Sequence, residues 1–90
     1  MNKALAFKNE GFEDYLYWQA QDRKTLKRIN LLFHDIDRNG HAGIGKPEPL
    51  RHNLQGWWSR RIDDEHRLVY RIEGNEIHIL SCRFHYDTKY

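Results

Sequence analysis

The spacing of apolar residues changes character along the chain, and each change marks an element. Lys3 to Phe7 alternates briefly and predicts a short first strand. From about Glu10 to Gln21 the pattern is helical, with Phe12, Tyr15, Leu16 and Gln19 on one mostly apolar face and Glu13, Asp14 and Tyr17 elsewhere. Asp22 is placed to cap a second helix. Along that helix Leu26, Ile29, Phe33 and Ile36 recur at helical spacing, and the opposite side carries Arg23, Lys24, Lys27 and Arg28. The short separation predicts an antiparallel helical hairpin.

Between Arg38 and Pro49 periodicity is lost, and Gly40, Gly43, Gly45, Pro47 and Pro49 predict a loop. Beyond Gly56 the period becomes two. Strands are expected over Trp57–Ile62, His66–Ile72 and Ile77–Tyr86. Asp63-Asp64-Glu65 forms the first turn, and Gly74-Asn75 a two-residue hairpin turn. The expected fold is α+β: an N-terminal strand, a two-helix hairpin and an antiparallel β-meander, with the helices on one face of the sheet.

At 90 residues the chain forms one domain, spanning 1–90. It is 39% hydrophobic and 31% charged, with 15 Lys+Arg against 13 Asp+Glu, too apolar and too balanced for a disordered tail. No run of about 18 apolar residues is present to span a membrane. The apolar run at the N-terminus is too short for a secretory signal. A single cysteine, Cys82, rules out an intramolecular disulfide and a Cys-rich zinc site. No two histidines stand at i+3 to i+5, so no zinc site is expected. Cytoplasmic location is the expectation that follows.

A net charge of +2 is small for a nucleic-acid binder, so the kind and placement of the cations matter more than their number. Strand alternation puts Leu68, Tyr70 and Ile72 on one face and Arg67, Val69 and Arg71 on the other. Ser59 and Arg61 oppose Trp58, Arg60 and Ile62, and Arg83 and His85 alternate with Phe84 and Tyr86. The meander thus offers a face of arginines and a histidine, and arginine suits planar phosphate recognition. Any single strand arginine is more often a solvated residue, paired here with Asp63, Asp64 or Glu65. Together with His85 and Glu48, held between Pro47 and Pro49, the set contains the groups that metal-free phosphodiester cleavage requires. A base takes the 2′-hydroxyl proton, cations offset the charge growing on phosphorus, and an acid protonates the leaving oxygen.

Several motifs in order resemble the YoeB toxins of bacterial toxin–antitoxin systems, within the RelE/ParE superfamily. They are Asp14-Tyr15-Leu16-Tyr17-Trp18-Gln19, Lys46-Pro47-Glu48-Pro49-Leu50-Arg51-His52-Asn53-Leu54, Trp58-Ser59-Arg60-Arg61-Ile62, Glu65-His66-Arg67-Leu68-Val69-Tyr70 and Cys82-Arg83-Phe84-His85-Tyr86. The resemblance implies a RelE-like fold and a ribosome-dependent mRNA endoribonuclease that cuts in the A site without metal or cofactor. It implies Glu48 as general base, His85 as general acid, Arg67 as transition-state stabiliser and Tyr86 as a substrate-contacting or orienting group. Lys46, Arg51, His52, Arg61 and Trp58 are the implied substrate contacts. The implied partners are the ribosome and mRNA, a YefM-type antitoxin that folds over the site, and a second copy in a homodimer. DNA is contacted only through the toxin–antitoxin complex, and no membrane is involved. The chain departs from such toxins in carrying Arg51 where lysine is common and in continuing past Tyr86 into Asp87-Thr88-Lys89-Tyr90.

Other residues have plainer readings. Trp18 and Tyr15 suit helix packing, and Cys82 suits a small buried position. At most one of the adjacent Trp57 and Trp58 shares the arginine face. His52 and His66 flank the region as substrate contacts or as structure. The competing functions are a non-catalytic ribosome- or RNA-binding inhibitor, which needs the arginines but not Glu48 and His85, and a gyrase poison, which needs no acid–base pair.

Overall fold

In the computed structural model, which describes residues 1–90 and the side chains of all but 88 and 89, the strongest sequence signal and the largest part of the core coincide. Helix α2 (Arg23–Asn39) begins where Asp22 accepts hydrogen bonds from the Lys24 and Thr25 amides, both at 3.1 Å. Its inward stripe is Ile29, Leu32, Phe33 and Ile36, with Leu26 partly buried beside them. Its basic side is largely exposed, although the Arg28 guanidinium reaches back to the Arg61 carbonyl at 3.2 Å.

Helix α1 (Asn9–Gln21) forms as expected but turns a different face inward. Gly11, Asp14 and Trp18 are buried, whereas Phe12 and Leu16 are 47% and 38% exposed. The reason is a close approach to the end of the sheet. A Cβ on Gly11 would lie 2.5 Å from the Ile79 carbonyl oxygen. Asp14 accepts the Cys82 amide at 2.9 Å, and the Trp18 indole donates to the Cys82 carbonyl at 2.8 Å. A face of glycine, aspartate and tryptophan has no apolar periodicity to read. Tyr15 packs against Phe7 and Phe33 and donates to Asn30 at 2.7 Å.

The sheet comprises β1 (Ala4–Phe7), β2 (Glu48–Pro49), β3 (Trp58–Arg61), β4 (Arg67–Glu73) and β5 (Glu76–Ser81), ordered β1-β5-β4-β3-β2. The meander β3-β4-β5 is antiparallel, as expected, and Glu73 pairs with Glu76 across the Gly74-Asn75 turn. Strand β1 returns to lie parallel to β5, and the short β2 extends the opposite edge. The last strand is shorter than predicted. It stops at Ser81, and Phe84 adopts a left-handed backbone (φ 65°) that an extended chain cannot continue through. A short helix, α3 (Tyr86–Lys89), follows.

Leu68, Tyr70, Ile77 and Ile79 face the helices and form the main core. Val69 faces the other way and forms a smaller core with Leu50 and Leu54, flanked by Trp57, Leu80 and Tyr86. Arg60, expected beside Trp58 and Ile62, is fully buried on the helix side. Its guanidinium pairs with Asp35 and donates to the carbonyls of Gly40, Ala42 and Ile44. The predicted glycine-rich loop is thereby wrapped around a charged side chain. At Gly43, φ is 118° and a Cβ would fall 2.0 Å from the Asp35 carboxylate.

Candidate active site

Glu48 owes its position to the edge of the sheet. Pro47 and Pro49 flank it, and proline is tolerated on an edge strand because no ladder hydrogen bond is forfeited there. Glu48 pairs with Ser59, which pairs with Val69, so all three side chains project from the helix-free face. After Leu50 the chain crosses that face. Its 3₁₀ turn, His52–Leu54, inserts Leu54 beside Leu50 and Val69, and the Leu50 amide donates to the Trp57 carbonyl at 2.9 Å.

The C-terminal segment meets this crossing. The Tyr86 hydroxyl donates to Oε1 of Glu48 at 2.9 Å. Burial, and then the hydrogen bond to Glu48, push the Tyr86 phenol above its ordinary range, so it stays a donor at neutral pH. The His85 ring lies against Tyr86, centroids 4.2 Å apart. The Asp87 amide donates to His85 Nδ1 at 3.2 Å, and the Asp87 carboxylate stands 3.5 Å from the same atom. An Nδ1 that accepts leaves Nε2 as the protonated edge of the neutral ring.

A cleft of about 710 Å³ opens here, and Glu48, Arg51, His52 and Tyr86 all line it. Asn53, Asp87 and Tyr90 complete the wall and carried no candidate role in the sequence motifs. Tyr90 is held by its hydroxyl on Glu10, at 2.9 Å, and by its carbonyl accepting from Asn53 at 3.4 Å. Burial pushes its phenol up to about 12. Only the motif beyond Tyr86 hinted at this wall, because nothing in its composition says that it folds back.

The remaining candidates stand apart from the cleft lining. Arg67 is 9% exposed, and its NH1 donates to the Asp63 and His66 carbonyls at 2.8 and 3.1 Å. It does not line the cleft, yet it is close enough for its charge to favour ionised Tyr86, against the other influences there. Arg61 is exposed and is paired across the ladder with Arg67. Lys46 is exposed at the approach to β2, with a left-handed backbone (φ 50°). Trp58 packs on the helix side, stacked on His41 with centroids 3.9 Å apart, and does not share a face with Glu48. Trp57 is the tryptophan on the cleft side, with the Arg71 guanidinium over its ring. Among the described residues no three His, Cys, Asp or Glu side chains gather into a possible metal site. No helix there is long and apolar enough to cross a membrane.

A two-helix layer on a five-stranded mixed sheet, with acidic, basic and aromatic side chains gathered on the open face, defines the RelE-like class of small α+β toxin domains. The family model for the YoeB-like toxin of bacterial type II toxin–antitoxin systems matches residues 7–86. The chain belongs to that family. Toxin YoeB of Synechocystis is 57% identical over 82 residues, which span 91% of this chain and 95% of that protein. Toxin YoeB of Escherichia coli K12 is 51% identical over 91% of this chain and 98% of its own length. A YoeB dimer from Staphylococcus aureus superposes with a TM-score of 0.90 at 52% identity, covering 96% of this chain and 100% of that one. The heterotetrameric YoeB–YefM complex from the same organism gives 0.89 over the same shares. YafQ of E. coli, at 12% identity and a TM-score of 0.77, shares the fold.

Proposed function

We propose that this protein is a ribosome-dependent mRNA endoribonuclease, cutting mRNA in the A site by metal-independent transesterification and so stopping translation. The observation that supports the reading is the hydrogen bond from Tyr86 to Glu48 in a cleft that Arg51 and His52 also line, with the His85 ring against Tyr86. Tyr86 occupies one oxygen of Glu48 and orients the carboxylate. The other oxygen takes the proton from the 2′-hydroxyl, which attacks the adjacent phosphorus. Charge accumulates on the phosphoryl oxygens, where Arg51 on the wall and Arg67 nearby offset it. His85 gives the departing 5′-oxygen a proton from Nε2, acting in the form whose Nδ1–H faces the Asp87 carboxylate instead of accepting the Asp87 amide. The products are a 2′,3′-cyclic phosphate and a 5′-hydroxyl. Arg61 and Lys46 lie outside the cleft lining and serve the flanking RNA or the ribosome.

The same reading supplies partners. A segment of a YefM-type antitoxin covers the cleft and folds on binding, and two copies of the chain associate. The S. aureus relatives, which form such a complex and such a dimer, support both. The work of the toxin is done in the cytoplasm, where ribosomes are.

Cleavage mapping on a defined mRNA, with ribosomes carrying initiator tRNA, tests the reading. Wild type should cut within the A-site codon only when ribosomes are present, and Glu48→Gln and His85→Gln should not. Protection of that codon without a cut would establish a ribosome-occupying binder instead. Equal cutting by the variants would refute the site.

A further inference from the structure

We propose that His66 is a positioning residue for the catalytic pair His85–Tyr86, acting by clamping the Phe84 peptide in a left-handed conformation; this rests on the endoribonuclease reading above. Phe84 lies between the end of β5 at Ser81 and the His85–Tyr86 pair, whose Tyr86 hydroxyl meets Glu48, and it stands at φ 65°. A non-glycine residue is strained in that region and persists there only where the surroundings over-determine it.

The surroundings here do so peptide by peptide. The Phe84 amide donates to His66 Nδ1 at 2.7 Å, and its carbonyl accepts the Arg67 amide at 3.1 Å. One turn earlier the Cys82 amide and carbonyl are held by Asp14 and Trp18. Between these anchors the Arg83 guanidinium lies over the Tyr17 ring, 3.5 Å from its centroid, and also over Phe84. Trp18 packs edge-on against His66 at 4.8 Å, so one indole steadies both anchors. The His66 contact is the only one of these made by a side-chain ring nitrogen to the left-handed residue itself. It requires Nδ1 to carry no proton, which places the ring proton on Nε2, 3.6 Å from the Glu65 carboxylate.

Two substitutions separate the acceptor from the packing. His66→Phe keeps a ring against Trp18 and removes the acceptor. His66→Asn loses the ring but sets Oδ1 where Nδ1 stood. Single-turnover cleavage on programmed ribosomes should fall about 10- to 100-fold in His66→Phe, equivalent to about 1.4–2.7 kcal/mol of lost positioning, while His66→Asn stays within about fivefold of wild type. Phe84→Gly, which adopts positive φ without strain, should recover part of the His66→Phe loss. Amide hydrogen exchange at Phe84 should quicken in His66→Phe and not in His66→Asn. If His66→Phe cuts as wild type does, or His66→Asn is the worse of the two, the ring packs and does not position. Should the wild type cut no RNA, the functional reading fails. The exchange comparison then decides the clamp alone: slow exchange at Phe84 in both variants overturns it.

Discussion

Tyr86 donates its hydroxyl hydrogen to Glu48 across 38 residues of sequence and 2.9 Å of space. The contact joins the edge strand to the C-terminal segment and occupies Oε1 of Glu48. Tyr86→Phe keeps the ring in the second core and loses only the donor. Single-turnover cleavage should fall about 10- to 100-fold, the worth of a charge-assisted hydrogen bond. Glu48→Gln should cost about 10²- to 10⁴-fold, the usual range for a lost general base. A Tyr86→Phe loss as large as that of Glu48→Gln would show that Tyr86 does more than orient.

Asp87 brings a negative charge into the cleft, which under the proposed function takes an RNA phosphate. The family match ends one residue before it. Asp87→Asn should tighten the apparent KM for programmed ribosomes about threefold at low salt, and the gain should shrink as salt screens the repulsion. Titrating ribosomes at two ionic strengths checks this. A salt-independent effect would point to the His85 contact instead.

Arg60 is fully buried, and its partners are Asp35, the Tyr70 hydroxyl and three loop carbonyls. Arg60→Met should destabilise the protein by about 3–5 kcal/mol, because Asp35 and the carbonyls lose their partner together. Urea denaturation measures it. Burial pushes the Asp35 carboxyl up, but hydrogen bonds from Arg60, the Ile44 amide and Asn39 outweigh it and hold the group below its ordinary 3.8. A depressed folded-state value stabilises above the unfolded value. That contribution is complete above about pH 5 and is lost as pH falls through 3.8 and below. Acid unfolding of Asp35→Asn should therefore be shallower than that of wild type.

Tyr90 gives the opposite sign at the opposite end of the scale. Its phenol, pushed up to about 12, stabilises the folded C-terminus fully below pH 10 and ceases to do so as pH rises through 12. Absorbance of phenolate during alkaline titration should show a late-ionising group in wild type that is missing in Tyr90→Phe. An unchanged late phase would assign it to Tyr70 or Tyr86, both also raised by burial.

Gly11→Ala should cost about 1–3 kcal/mol, since its new methyl meets backbone rather than a yielding side chain. Thermal melting checks it. A neutral result would mean that α1 shifts as a unit.

The sequence by itself determined what repeats. The α2 stripe and its Asp22 cap, the alternation of β4 and the two-residue turn at Gly74-Asn75 are local regularities, and each is present in the fold. The motif order also carried the family, because Lys46–Leu54 and Cys82–Tyr86 are runs of particular residue types rather than of mere hydropathy. Tertiary structure decided whatever depended on contact between distant segments. The inward face of α1 was set by carbonyl and amide groups of Ile79 and Cys82, which have no hydrophobic signature. Trp57 rather than Trp58 came to the cleft side, because Trp58 is paired in register with Tyr70 on the helix face. The last strand ended at Ser81, and beyond it His66 and Arg67, at the entry to β4, hold the Phe84 peptide. A polar partner supplied from far along the chain satisfies a backbone group as well as a neighbour does. Only the folded chain shows which partner that is.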